Sequence, residues 1–274
     1  MSQVAAIQMA SGPNVNANLI EAGRLISEAV AAGAELVVLP ENFAFLGHAE
    51  EDILPLAETD GDGPIQKFLT DQAKQHGIWL VGGTLPMQGS DAQHIRSACL
   101  VFDDQGERVT RYDKIHLFDV HIDVNNESYN ESETTEAGDE VVVIDTPFGR
   151  MGIAICYDLR FPELFRQMLD EGMQIIAMPS AFTAITGKAH WEALTRARAI
   201  ENLCFVIAAD QGGFHVSGRE TYGDSMIVDP WGQVLDRIPN GSGVITAEID
   251  AEQVNKVRKN FPATEHRRMP CKLP

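Results

Sequence analysis

The chain has 274 residues, 44% of them apolar and 22% charged. That suits one large or two small globular domains, with a core that needs no metal or disulfide staple. Its 21 basic and 40 acidic residues give a formal net charge of -19. Such a surface repels phosphate backbones and argues against a nucleic-acid partner, and an anionic ligand would need locally placed Arg or Lys.

Strand and helix patterns alternate along the chain. VAAIQM (4–9) predicts a strand. NANLIEAGRLISEAVAAG (16–33) predicts a helix, because Leu19, Ile20, Leu25, Ile26, Ala29 and Val30 recur near helical spacing. ELVVLP (35–40) predicts a buried strand ended by Pro. PIQKFLTDQAKQHG (64–77) predicts a second helix with Gly after its end, and IWLVGGTLP (78–86) a third strand. RSACLVFDDQGERVTRYDK (96–114) predicts a hairpin around Asp104-Gln105-Gly106. EVVVIDTPFGRMGIAIC (140–156) predicts another, turning at Pro147-Phe148-Gly149. A helix (162–171), a strand (174–179), a helix (190–203) and a strand (203–210) are expected next. A third hairpin (224–238) turns at Pro230-Trp231-Gly232, before strand GVITAEID and helix AEQVNKVRKNF.

This alternation predicts an α/β protein with mixed sheets. Two segments look alike: GAELVVLPENF (33–43) and GMQIIAMPSAF (172–182) align Gly33 with Gly172, Pro40 with Pro179 and Phe43 with Phe182. Either these are two generic buried strands, or the chain forms a pseudo-symmetric pair of sheets with helices on their outer faces. No low-complexity linker divides the chain, so one domain is expected over residues 1–274. Cysteines stand at 99, 156, 204 and 271, with no C-x-x-C pair. The start, MSQVAAIQMASG, lacks a basic n-region, so a reduced, cytoplasmic protein without a signal peptide is expected. No apolar run approaches the ~18 residues of a membrane helix, so no membrane partner is expected.

Three residues at predicted strand ends carry chemistry. Glu41 follows LVVLP, where open α/β sheets usually bind ligands, although an acid there is more often a cap or a solvated loop residue. Lys114, in RYDKIHLFD, precedes apolar Ile115, Leu117 and Phe118, which suggests a buried loop and a fixed cation. Cys156 is the last apolar residue before a polar turn, in RMGIAICYDLRFPELFR. It is either a core thiol or a nucleophile, and the helix starting near Pro162 would favour its thiolate. Cys99 and Cys204, inside apolar strands, read as structural, and Cys271 lies in a terminal tail. A Cys–His pair would be the default, but no histidine sits in a telling context, and a Cys–Glu–Lys set would work by other means. No metal-ligand spacing and no glycine-rich phosphate loop appears, so no cofactor is expected.

The segments LVVLPENF, RYDKIHLFD and GIAICYDLRFPELFR resemble, in order, the three signature regions of the nitrilase superfamily of carbon–nitrogen hydrolases. The resemblance runs from VAAIQM to RRMP. It implies a Glu–Lys–Cys triad of Glu41, Lys114 and Cys156, a four-layer α-β-β-α sandwich, and a homodimer or larger homo-oligomer. It also implies a second glutamate after the lysine. YNESETTEAGDE points to Glu131, with Glu127 as a rival and a solvated acidic loop as the plain alternative. ITGKAHWEALTRARAIEN and GRETYGDSMIVDPWG resemble the amidase branch, which contains deaminated glutathione amidase and omega-amidase. GRETYGDSM is nearer the former.

The implied reaction is hydrolysis of a small amide, with amide substrate and water as the only partners. Lys114 and the backbone N–H of Tyr157 would hold the oxyanion. Arg160, four residues past Cys156, is a candidate clamp for a substrate carboxylate, with an ion pair to Glu163 or Asp158 as its alternative. Arg219 is a second candidate. Phe43, Tyr157, Phe182 and Thr183 are candidates to line the pocket, or simply core. Nitrilase, carbamoylase and acyl-transfer activities, and a catalytically silent interaction protein, are the rival readings.

Overall fold

A computed structural model describes residues 1–123 and 127–269. Cys271 lies outside them. In chain order the elements are β1 (Ser2–Gln8), α1 (Val15–Ala31), β2 (Leu36–Val38), α2 (Pro64–His76), β3 (Trp79–Val81), β4 (Leu85–Gln88), β5 (Ile95–Phe102) and β6 (Arg108–Asp113). Then come β7 (Asp119–Ile122), β8 (Glu127–Asn130), β9 (Val143–Thr146), β10 (Gly149–Ile153), α3 (Pro162–Asp170), β11 (Ile175–Ser180), α4 (Ala184–Asn202) and β12 (Phe205–Asp210). The last are β13 (Gly212–Phe214), β14 (Glu220–Tyr222), β15 (Ser225–Val228), β16 (Val234–Ile238), β17 (Gly243–Ile249) and α5 (Ala251–Asn260).

Two mixed sheets form. The first runs β17-β1-β2-β3-β5-β4 with β6 on β5, and the second β16-β15-β12-β11-β10-β9. In each, three parallel strands lie between antiparallel neighbours: β1, β2 and β3 in one, β10, β11 and β12 in the other. The look-alike segments supply the middle strand of each trio, β2 and β11. Gly33 and Gly172, which precede them, both adopt a positive φ (91° and 86°) that a side chain would oppose.

Side-chain alternation explains the layering. Val4, Ala6, Leu36 and Val38 point from the first sheet into the core shared with the second, while Ala5, Ile7, Val37 and Leu39 point to the outer side. There they meet Leu25, Ile26 and Ala29 of α1 and Ile65 and Leu69 of α2. Phe165 and Met168 of α3 and Trp191 of α4 belong to the core of the second sheet. The result is the expected α-β-β-α sandwich. Local signals set the helix ends: Asn14 Oδ1 accepts from Ala17 N at 3.0 Å to start α1, and Gly77, at φ 62°, ends α2.

Three expectations shift. The helix expected from 190 begins at Ala184, because Thr183 caps it by accepting from Thr186 N. Its first turn is pinned where Gly187 lies against the Tyr222 ring, too close for any side chain. The strand expected over 78–86 breaks at Gly82-Gly83 into β3 and β4. Two hairpins, β7–β8 and β13–β14, were not expected: the first has only Val120 and Ile122 as alternating apolar residues in β7, and the second has strands of three residues. Among the described residues, no helix is long and apolar enough to cross a membrane.

Buried amides tie the sheets together near one end. Gln8 Oε1 accepts from Ser225 N and Oγ, both at 2.9 Å. Gln211 Nε2 donates to Ser11 Oγ at 2.7 Å and to the Glu41 carbonyl at 2.9 Å. Ile176, in the middle of β11, has no solvent exposure. Ile176→Ala should cost about 2–5 kcal/mol, read as a lower urea midpoint with an unchanged m-value.

Candidate active site

Glu41, Lys114 and Cys156 arrive from three different strand ends and line one cavity of about 670 Å³. Glu41 follows β2 and Pro40, and the first residue beyond it, Asn42, turns the chain with a left-handed φ of 57°. The Asn42 N–H donates to Thr84 Oγ1 at 2.8 Å, which fixes that turn. Lys114 follows β6. Its backbone N–H donates to the Ser97 carbonyl, and its own carbonyl accepts from Gly138 N–H.

The Lys114 ammonium is 2% exposed and is the hub of the site. Nζ donates to Glu41 Oε1 at 2.8 Å, and to Glu131 Oε1 and Oε2 at 3.0 and 2.8 Å. Glu131 Oε2 also accepts from Phe118 N–H at 2.7 Å. Of the two glutamates the sequence left open, Glu131 therefore meets the lysine. Glu127 instead accepts from the Tyr129 hydroxyl at 3.0 Å, farther along the cavity wall. Burial works against the lysine's charge, but Glu131 and Glu41 outweigh it and hold its pKa well above the ordinary lysine value. Burial raises the pKa of Glu131, against the pull of Lys114.

Cys156 ends the run from β10 and opens a 3-10 turn, Cys156–Arg160. Its φ of 46° is left-handed, a conformation that costs a non-glycine residue about 1–3 kcal/mol. Asp158, with no solvent exposure, holds the turn. Its Oδ2 accepts from Ile155 N at 2.8 Å and from Tyr112 Oη at 2.7 Å, and Oδ1 accepts from His116 N at 3.1 Å. One carboxylate thus joins the cysteine turn to the residues on both sides of Lys114. Sequence reading had placed Asp158 only as a polar neighbour or an arginine partner.

The thiol is not the ready thiolate that a nearby helix would favour. The helix α3 starts six residues later, while burial and the Glu41 charge push the Cys156 pKa well above the ordinary thiol value, with Lys114 and the Ala181 N–H opposing them. A base must therefore take its proton during any reaction at sulfur.

The remaining candidates separate by position. Arg219 lines the cavity. Its Nη2 donates to the Ala181 carbonyl at 2.6 Å and its guanidinium lies 5.2 Å from the Tyr129 ring. Arg160 does not line the cavity and pairs with neither Glu163 nor Asp158. Its guanidinium sits between the Tyr157 and Phe182 rings (5.6 and 5.2 Å), and Nη1 donates to His190 Nδ1 at 3.1 Å. Phe43 is fully buried on the helix side of the first sheet, stacked on Phe68, and Thr183 caps α4. Phe182 packs on Trp191, and Tyr157 on Phe118, which does line the cavity. None of Phe43, Tyr157, Phe182 and Thr183 lines the cavity itself. The lining that sequence reading missed comes from Phe45 to Ile53 and from Tyr129, in segments without periodicity. Among the described residues, no group of three or more His, Cys, Asp or Glu is placed to hold a metal ion.

A buried carboxylate, ammonium and thiol at one cavity floor match a hydrolase, and the comparisons with known proteins agree. The carbon–nitrogen hydrolase family profile matches residues 3–259. This chain belongs to the carbon–nitrogen hydrolase family. It is 40% identical to the deaminated glutathione amidase of Yersinia enterocolitica, over 99% of this chain and 95% of that protein. It superposes on the nitrilase and fragile histidine triad fusion protein NitFhit of Caenorhabditis elegans with a TM-score of 0.90 at 41% identity, spanning 97% of this chain but only 65% of the fusion. Saccharomyces cerevisiae Nit3, a member of branch 10 of the nitrilase superfamily, superposes with a TM-score of 0.87 at 33% identity, over 98% of this chain and 97% of Nit3. As a member of the family, this chain is a hydrolase of amide carbon–nitrogen bonds.

Thiol alkylation tests the site's electrostatics. Because the raised pKa keeps Cys156 protonated, its alkylation by iodoacetamide, followed by peptide mapping, should be slow at neutral pH. It should keep rising with pH beyond the ordinary thiol value of about 8.5. A plateau below that value would contradict the burial and charge described here.

Proposed function

We propose that this carbon–nitrogen hydrolase cleaves a linear amide of a small carboxylate-bearing acid through a thioester on Cys156, in the manner of a deaminated glutathione amidase. The observation that carries the reading is the Lys114 ammonium bonded to both Glu41 and Glu131 at the floor of the cavity that Cys156 lines. The relatives' name supplies the substrate class. A dicarboxylate monoamide, as for an omega-amidase, is the alternative.

In this reading Glu41 takes the Cys156 proton as sulfur attacks the amide carbonyl carbon. Lys114 Nζ, which lines the cavity, stabilises the oxyanion; the Tyr157 N–H expected to share that role belongs to a residue outside the cavity lining. The tetrahedral adduct collapses, the C–N bond breaks, and Glu41 returns the proton to the leaving amine. Water then gives a proton to Glu41 and attacks the thioester. The C–S bond breaks, the acid is released, and the thiol regains its proton. Glu131 orients Lys114. One general base of this kind contributes about 10²–10⁴-fold, and one oxyanion donor about 10²–10³-fold.

Arg219, in the cavity wall beside Ala181, is a better partner for the substrate carboxylate than Arg160, which is occupied by two rings and His190. A homodimer or larger assembly is proposed from the family resemblance and is read by light scattering.

Intact-mass spectrometry after mixing with candidate amides should find an acyl adduct on the enzyme that is absent from Cys156→Ala. That variant should lose ~10³-fold or more in kcat. Retained amidase activity in Cys156→Ala would sink the mechanism. Arg219→Ala should raise KM for carboxylate-bearing amides roughly ten- to hundredfold more than for neutral amides, the worth of a charge-assisted hydrogen bond, beyond any loss in kcat common to both from the freed Ala181 carbonyl. Equal effects on both classes would remove Arg219 from recognition.

A further inference from the structure

Asp210 ends β12 with no solvent exposure, close enough to Glu41 and Cys156 for its charge to act on both. No step of the proposed reaction uses it. Its Oδ1 accepts from the Phe182 N–H at 2.9 Å, while Oδ2 has no hydrogen-bond partner. Among the described residues, no Lys, Arg or His makes an ion pair with it. A buried carboxylate that is charged, unpaired and left with a bare oxygen is far costlier than the same group as a neutral acid.

Its partner segment matters to sulfur. The chain leaving β11 runs Ser180-Ala181-Phe182, and Ala181 lines the cavity with Cys156, its N–H opposing the rise in the thiol's pKa. Arg219 Nη2 holds the Ala181 carbonyl at 2.6 Å from one side, and Asp210 holds the Phe182 N–H from the other. Asp210 is itself fixed by its backbone N–H, which donates to Ser225 Oγ at 2.9 Å.

We propose that Asp210 is a positioning residue for the reaction, holding the Ala181 N–H against the Cys156 sulfur through Phe182, and that it does so uncharged. This rests on Cys156 being the nucleophile. Burial raises the Asp210 pKa well above the ordinary carboxylate value, with Glu41 adding to the rise and the Phe182 N–H, Arg219 and the Gln211 N–H opposing it. The titratable groups that face it are Glu41 after β2, Cys156 in the 3-10 turn, Arg219 on the turn before β14, and Tyr222 in β14. Beside Glu41 and Glu131, a third negative charge would push the Cys156 thiolate still further out of reach.

The test compares Asp210→Asn and Asp210→Ala with the parent and with Cys156→Ala, in kcat, KM and melting temperature across neutral and alkaline pH. An amide keeps the acceptor oxygen and cannot ionise. Asp210→Asn should keep kcat within a few-fold and keep the parent's pH profile. Asp210→Ala should lose about 10²-fold in kcat, the scale of a small misplacement of reacting groups, with KM little changed. If Asp210→Asn falls as far as Asp210→Ala, or its pH profile is displaced from the parent's, the proposal is overturned. Should Asp210→Ala fail to fold, Asp210→Asn alone decides: near-parental kcat supports the role, and a loss beyond tenfold at unchanged melting temperature ends it. Activity retained in Cys156→Ala would instead overturn the reading of the nucleophile.

Discussion

One buried ammonium group shared by two carboxylates is the constraint around which this molecule is organised. Buried charges persist only when paired and hydrogen-bonded, and Lys114 meets that condition through Glu41 and Glu131 at once. The cost explains the surroundings. Gln211 pins the Glu41 backbone, Ser97 and Gly138 pin the Lys114 backbone, and Phe118 N–H satisfies Glu131. Removing one carboxylate would leave the buried ammonium with half its compensation. Burial, with the Glu41 charge beside it and Lys114 opposing, keeps the neighbouring Cys156 thiol from ionising readily.

The pseudo-symmetry has a functional side. β2 and β11 are the middle strands of equivalent parallel trios, each preceded by a helix and a left-handed glycine. One ends at the Glu41 carboxylate; the other ends at Ala181, and both line the cavity with Cys156. Equivalent strand ends thus deliver a carboxylate from one sheet and a backbone segment from the other. The acid Asp158 joins the two, since it bonds both the cysteine turn of the second sheet and the Tyr112 hydroxyl of the first.

Much of this was legible in the sequence, for identifiable reasons. Buried parallel strands are nearly continuous apolar runs, so the positions of Glu41 and Cys156 at strand ends could be read directly, and amphipathic spacing showed α1, α2 and α5. Tertiary contacts were not legible. Nothing local says that Asp158 reaches across to Tyr112, that Arg160 stacks between two rings, or that Phe43 turns toward the helices while its neighbour Glu41 turns into the cleft. The start of α4 was missed because Thr186 and Gly187 are poor helix formers, and a cap with close packing on Tyr222 overrides that preference. The short hairpins β7–β8 and β13–β14 carry few apolar residues, yet residues in or beside them, Tyr129 and Arg219, line the cavity.

The division of the cleft between floor and wall has a consequence for how the protein can change. The floor is drawn from both sheets and locked by buried carboxylates, so an alteration there disturbs the fold and the chemistry together. The wall hangs on short hairpins that contribute little to the core. New specificities can therefore accumulate in the wall while the floor stays fixed, and an incompletely folded chain, with its sheets undocked, holds Glu41, Lys114 and Cys156 apart.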